Sequence, residues 1–422
     1  GMTPFARIAK VPVVRKENGQ IDREATYNKA KEVATKIALY VANVNDATAS
    51  GFPSNWILGG LELAPGEEAD AGQVNSNILR IPSPDLIDKK SPSLGIKKAN
   101  VMDLCNAYYA KQALGVAPIV PGKKVVNGYS HTPALPCELA TWNDDEHIYV
   151  DMLDPNAIFT LFFTDVFVSA EMQDPVFAEA ISALPPAVKS EIKTVVYNAL
   201  DEAGYNYIAT DQALGPKYRD LDAAFEAVAN SPNVSPFKHV AYTKSNGEDF
   251  VFGETKVVAE AIMDAMTIHG EPDAGDQVDE LENILSPGSM WRSARHEPLG
   301  LPGKPDVPEK NWVIEACSPT YAKMAMSTGM HHVTALPCEI SVQRVNVDES
   351  ADGSTEALVI SYLDPSFMLG ALFADMSDKE KDALGGIPAL ILGDLETIVQ
   401  YALDNEDTEL APGKQIWYTM LP

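Results

Sequence analysis

The sequence repeats itself, and that repeat limits the fold more than any single motif does. His131-Thr-Pro-Ala-Leu-Pro-Cys-Glu138 returns as His332-Val-Thr-Ala-Leu-Pro-Cys-Glu339. Upstream, Val101-Met-Asp-Leu-Cys-Asn-Ala-Tyr-Tyr-Ala-Lys111 returns as Val313-Ile-Glu-Ala-Cys-Ser-Pro-Thr-Tyr-Ala-Lys323, and downstream Leu153-Asp-Pro155 returns as Leu363-Asp-Pro365. Outside these blocks, Phe5–Val11 matches Phe237–Thr243 and Thr194–Asp201 matches Thr397–Asp404. Several blocks in one order, twice over, imply a tandem duplication, so one structural unit must serve both halves. The expected boundaries are a first copy over 1–228, an Asn- and Pro-rich joint at 229–236 and a second copy over 237–422.

Period and punctuation give each copy an α+β reading. Asn18-Gly19 and Asn246-Gly247 suit the positive φ angles of tight hairpin turns near the start of each copy. Ala30, Val33, Ala34, Ile37 and Val41 recur at helical spacing, as do Val258, Ile262, Ala265 and Met266. The poorly matched stretches near 50–97 and 270–310 predict long loops with short elements of their own. Strands over Ala99–Cys105 and Asn311–Cys317 run into helices capped by Asn106 and Ser318. Pro136–Trp142 with His147–Met152, and Pro337–Arg344 with Ala357–Leu363, predict hairpins; Asp154-Pro155 and Asp364-Pro365 then start helices. The apolar run Ile158–Ala170, interrupted by Asp165, reads as a core helix. Long helices close each copy, burying Val188, Ile192, Val195, Val196 and Ala199, or Ile391, Leu395, Ile398, Val399 and Ala402. The fold expected is two mainly antiparallel sheets with helices on one side, paired about a pseudo-two-fold axis as an intramolecular pseudo-dimer.

A chain of 422 residues buries sizeable cores without staples, and a formal charge of −28 repels phosphate backbones and anionic lipid headgroups. Nucleic-acid binding and membrane insertion are therefore not expected. No apolar run is long enough to span a membrane, and the start, Gly1-Met2 followed by a polar stretch, carries no hydrophobic signal segment; a soluble protein is expected, with cytoplasm and periplasm both open. Four cysteines in this length do not make a disulfide scaffold. Asp144-Asp145-Glu146-His147 has no histidine in its counterpart near 348–353 and reads as a solvated turn. The acidic run 271–282 lacks the glycine of an EF-hand loop. No Walker loop, dinucleotide fingerprint, nucleophile elbow or His-Glu-x-x-His helix is present.

Taken together, the Cys105-Asn106, Leu135-Pro136-Cys137 and Asp154-Pro155 steps and their partners Cys317-Ser318-Pro319, Leu336-Pro337-Cys338 and Asp364-Pro365 resemble the domain of unknown function 302 family. The resemblance covers the centre of each half. It implies a compact α+β fold with an antiparallel-rich sheet, and it implies no reaction.

The repeated residues with chemistry are the candidates. Cys105 and Cys317 stand where a strand hands over to a helix, a setting that favours thiolate; the alternative is a small buried residue filling a corner. Cys137 and Cys338 each precede a glutamate, Glu138 or Glu339, and alternation sends Cys and Glu to opposite faces, the plain reading being buried Cys and solvent-facing Glu. His131 and His332, with two cysteines per copy, would offer zinc or copper three ligands, with water or the glutamate as a fourth, and His131, Glu138, His332 and Glu339 are also candidates to bind a small ligand. Tyr109 and Tyr321 either line a pocket or are core residues with a wet tip. Asp154 and Asp364 read as caps rather than acids. The leading expectation is a protein that binds or senses a small ligand or metal ion in two equivalent pockets, near the Cys–helix corner and the Leu-Pro-Cys strand. A thiol-based redox enzyme, with Cys105 or Cys317 as nucleophile and Cys137 or Cys338 resolving, and a structural or assembly protein are the alternatives.

Overall fold

Strands that alternate apolar and polar residues would leave one sheet face in water, but here the central strands are buried on both faces. The computed structural model describes residues 3–87, 96–135, 137–215, 226, 230, 235–242, 254–270, 285–299, 311–336, 338–346, 356–373, 375–405 and 414–416. The first sheet contains β1 (Phe5–Pro12), β2 (Trp56–Leu58), β3 (Leu79–Ile87), β4 (Ile96–Asn106), β5 (Cys137–Asn143), β6 (His147–Leu153) and β7 (Ile208–Leu214). Its order is β2-β4-β5-β6-β1-β7, with β3 also paired to β4. The second contains β8 (Phe237–Tyr242), β9 (Arg292–Leu299), β10 (Asn311–Cys317), β11 (Cys338–Asn346), β12 (Glu356–Leu363) and β13 (Lys414–Ile416), in the order β13-β8-β12-β11-β10-β9. Every ladder is antiparallel, and β4-β5-β6-β1-β7 runs in the same order as β10-β11-β12-β8-β13.

One face of each sheet is covered by its own helices. The Arg23–Asn43 helix starts at Asp22, whose side chain accepts from Ala25 N, and its predicted stripe of Ala30, Val33, Ala34, Ile37 and Val41 is buried against the sheet and the Pro175–Glu202 helix. In the second half the Glu254–Gly270 helix buries Val258, Ile262, Ala265 and Met266 beside the Ile387–Asn405 helix. The other faces meet across the molecule. Ile81, Ala99, Val101, Ala140 and Trp142 of the first sheet pack against Ala322, Met326, Met330 and Val333 of the second half. The 3-10 turns Gly128–Ala134 and Met330–Ala335 each reach over to the opposite sheet. Asn311 Nδ2 donates to Thr132 Oγ1 at 2.6 Å across the same seam.

The caps at Asn106, Ser318, Asp154 and Asp364 form as expected, each side chain accepting from backbone amides of the first turn. Two local expectations are corrected. Asn18-Gly19 makes a turn with Gly19 at φ +83°, but only an isolated Arg15–Ile21 bridge follows it, not a hairpin. Both edges of β1 are already taken by β6 and β7. The run Ile158–Ala170 is not one helix: Pro155–Phe162 ends at Phe163 and a short Thr164–Phe167 turn of helix follows, because Asp165 points inward to a histidine. Asn246-Gly247, most of the 229–236 joint and the acidic run 271–282 lie outside the described residues. Among the described residues no helix is long and apolar enough to cross a membrane.

Candidate functional site

Alternation along β4 and β5 turns Met102, Leu104 and Leu139 into the core beneath the first half's helices, so Asp103 and Glu138 face the opposite half. Asp103 stands directly across the ladder from Glu138, and Glu315 directly across from Glu339 in β10 and β11. The two carboxylate pairs therefore occupy the same rung of the two sheets. Packing brings the pairs together: one oxygen from each of Asp103, Glu138, Glu315 and Glu339 lies within 4.8 Å of the other three. None of the four residues is more than 5% exposed. All four sit on paired strands, which fixes their backbones before any ligand arrives.

The cysteines beside this cluster look the other way. Leu104 is the cross-strand partner of Cys137 and Ala316 that of Cys338, both on the helix side of their sheets. Burial pushes the Cys137 thiol up to about 12, with Asp103 and Glu138 adding to the shift; burial and Glu138 do the same at Cys338, also to about 12. Such thiols stay protonated at neutral pH and make poor nucleophiles and poor metal ligands. None of the four cysteines is in a disulfide. Cys105 is buried in the first half's core, while Cys317 lines a cavity together with Cys338 and Tyr321. The groupings of potential metal ligands among the described residues contain no cysteine, so the sets Cys105–His131–Cys137 and Cys317–His332–Cys338 are not brought together.

The histidines are engaged elsewhere. His131 Nε2 lies 2.8 and 2.9 Å from the two carboxylate oxygens of Asp165, and its Nδ1 lies 3.1 Å from Gly128 O. His332 Nε2 lies 2.7 Å from Asp375 Oδ1 and its Nδ1 3.0 Å from Ala325 O, while His331 Nε2 takes Asp375 Oδ2 at 2.8 Å. Burial alone would raise the Asp165 carboxyl, but the charge and hydrogen bond of His131, with Asn127, hold it below the ordinary range. Asp375 is held down in the same way, against its burial, by His331 and His332. His131 stacks on Phe163 at 4.2 Å and meets Phe237 of the other half edge-on; His332 tilts over Phe373 at 4.5 Å and over Phe5 of the other half at 5.6 Å. The contacts are reciprocal.

Tyr109 and Tyr321 each join a tryptophan and an acid on the helical side. The Tyr109 hydroxyl donates to Glu191, which also accepts from Trp56 Nε1 at 3.2 Å. Tyr321 lies 6.0 Å from Trp291, whose Nε1 donates to Asp394 at 2.9 Å. Asp154 and Asp364 do serve as caps.

Four chemically important acids were not singled out in the sequence. Asp103 and Glu315 lie two positions before the corner cysteines, inside the matched block, and Asp165 and Asp375 lie at the same distance after Asp154 and Asp364. The first pair differs in residue type, and the second falls in an apolar run where an acid reads as an interruption. Alignment by charge pairs Asp103 with Glu315, and equal spacing from the Asp-Pro steps pairs Asp165 with Asp375 by identity.

No curated protein matches the chain. A family model described as Domain of unknown function DUF302 matches residues 305–387, so the stretch of the second half that carries Glu315, Cys317, Tyr321, His332, Cys338, Glu339 and Asp375 is similar to that family.

Proposed function

We propose that the chain is a cation-binding protein made of two copies of one module, 1–228 and 237–422 joined by 229–236, with a single hard divalent ion held between them. The observation that carries this is the convergence of Asp103, Glu138, Glu315 and Glu339, buried, with oxygens within 4.8 Å of one another. Two carboxylates about 4 Å apart repel by roughly 4 kcal/mol even at an effective dielectric of about 20, a repulsion that a divalent cation between them turns into attraction. Opposite ligands of a bound Ca²⁺ stand about 4.6–5.2 Å apart, which is the span of this cluster. The donor set is all oxygen, and the nearby Cys137 and Cys338 thiols are held protonated, so the chemistry favours a hard ion over zinc or copper(I). The matching registers of the two pairs support the two-copy reading. The raised Cys137 and Cys338 thiols speak against a redox couple built on them.

Calorimetric titration of chelator-treated protein with Ca²⁺ and Mn²⁺ at pH 7.5 tests the reading. One ion per chain should bind, and the double variant Glu138→Gln/Glu339→Gln should lose binding at least 100-fold while keeping its circular dichroism. Absence of binding in the wild type, or unchanged binding in the folded variant, overturns it.

A further inference from the structure

The second half contains an apolar cavity of about 90 Å³ lined by Trp291, Ala316, Cys317, Tyr321, Cys338 and Leu369, among others. Its origin is visible in the two halves. The segments Asp154–Asp165 and Asp364–Asp375 are both opened by a capping aspartate and closed by an aspartate that holds a histidine. Within them Phe159 stands where the second half has Leu369, and upstream Leu104 stands where it has Ala316. Leu104 and Phe159 are buried in one core with Cys105 and Leu135, and Phe159 stacks on Phe163 at 4.8 Å. The second half keeps Phe373, Cys317 and Leu336 around the corresponding space but presents two smaller side chains to it. Phe367, larger than its counterpart Ala157, does not fill the gap: its ring turns toward Phe162 of the first half, 6.2 Å away. A Leu-to-Ala difference in a core that relaxes only partly leaves space of this kind.

We infer that this cavity is a binding site for a small uncharged apolar molecule, no larger than benzene, and that it is separate from the proposed cation site. The lining supports that class. It is almost wholly hydrocarbon, sulfur and ring edges, the kind of surface that stays dry and takes up apolar solutes. Charged ligands would lose hydration without a counter-charge, since no Asp, Glu, Lys, Arg or His is among the described lining residues. The sulfur of Cys317 at the wall gives the site a built-in reporter.

The experiment uses the full chain and benzene, with xenon as a second probe. Benzene should raise the Tm of the wild type saturably, shift methyl resonances of Leu369 and Met368, and slow modification of Cys317 by a small methylthiolating reagent at least tenfold. Ala316→Leu and Leu369→Phe, separately and together, restore the first half's side chains and should remove these effects. If both variants fold poorly, the wild type alone decides: no saturable response to either benzene or xenon overturns the inference. A response that persists in a folded double variant overturns the assignment to this cavity. Cation titration in the double variant should match the wild type, which separates this site from the carboxylate cluster.

Discussion

At the scale of single residues, the two sheets carry different chemistry on the same rung of their ladders. Arg7 pairs with Asp151 at 2.8 Å and lies over the Tyr149 ring at 3.6 Å; at the corresponding rung of the second sheet His239 faces Ser361. Gln343 Nε2 donates to Ser361 Oγ at 2.9 Å, leaving the Ser361 hydroxyl to donate to His239 Nδ1 at 2.6 Å, which suits a neutral imidazole. Burial, together with the charge of His131 and against that of Asp165, lowers the His239 pKa to about 3. The unfolded chain binds this proton near pH 6.5 and the folded chain does not, so stability is full above pH 6.5 and falls as pH drops toward 3. The loss between pH 8 and pH 5 should be about 2 kcal/mol from this group. Urea unfolding of His239→Gln should show that part of the acid slope removed; an unchanged slope would assign it to other groups. Raised thiols act with the opposite sign: Cys137 and Cys338 favour folding below pH ~8.5 and cease to as pH climbs toward 12.

At the scale of elements, the sequence was most legible where local chemistry decides. A capping side chain followed by proline fixes a helix start whatever surrounds it, which is why Asp154, Asp364 and Ser318 were readable. Alternation likewise puts Cys137 and Glu138 on opposite faces, as the structure has them. What it could not give was that both faces are interior. The plain reading of alternation puts Glu138 and Glu339 in solvent, yet they are buried because a second sheet covers that side. Register between distant strands is set by tertiary packing, so the meeting of Asp103 with Glu315 had no local signature. The caps also differ in a testable way. Asp154 accepts from Asn156 N at 3.0 Å and from Lys189 Nζ at 2.8 Å, whereas Asp364 accepts from Ser366 N at 2.9 Å. Asp364→Ala should cost about 1 kcal/mol in chemical denaturation. Asp154→Ala should cost roughly 2 kcal/mol, since a half-buried lysine also loses a partner. Equal losses would mean that Lys189 draws nothing from Asp154.

At the scale of the whole molecule, each half is finished by the other. The His131 turn lies on the second sheet, the His332 turn on the first, and Phe5 and Phe237 receive them in reciprocal ring contacts. Calorimetry should therefore show one unfolding transition, with Trp56 and Trp291 environments lost at the same temperature. Two transitions separated by more than about 10 °C would show halves that stand alone. Segments 1–228 and 237–422 expressed apart should bind hydrophobic dyes that the full chain does not.

The crossed turns also bear on how the protein is made. Among the described residues, the first sheet's outer face, with Val101, Ala140 and Trp142, is covered by Ala322, Met326, Met330 and Val333 of the second half. Close to two hundred further residues must leave the ribosome before that cover exists, a delay of roughly 10–40 s at ordinary synthesis rates. For that interval the nascent first half carries a bare apolar wall, and the cell's holdase chaperones have a natural place to bind it.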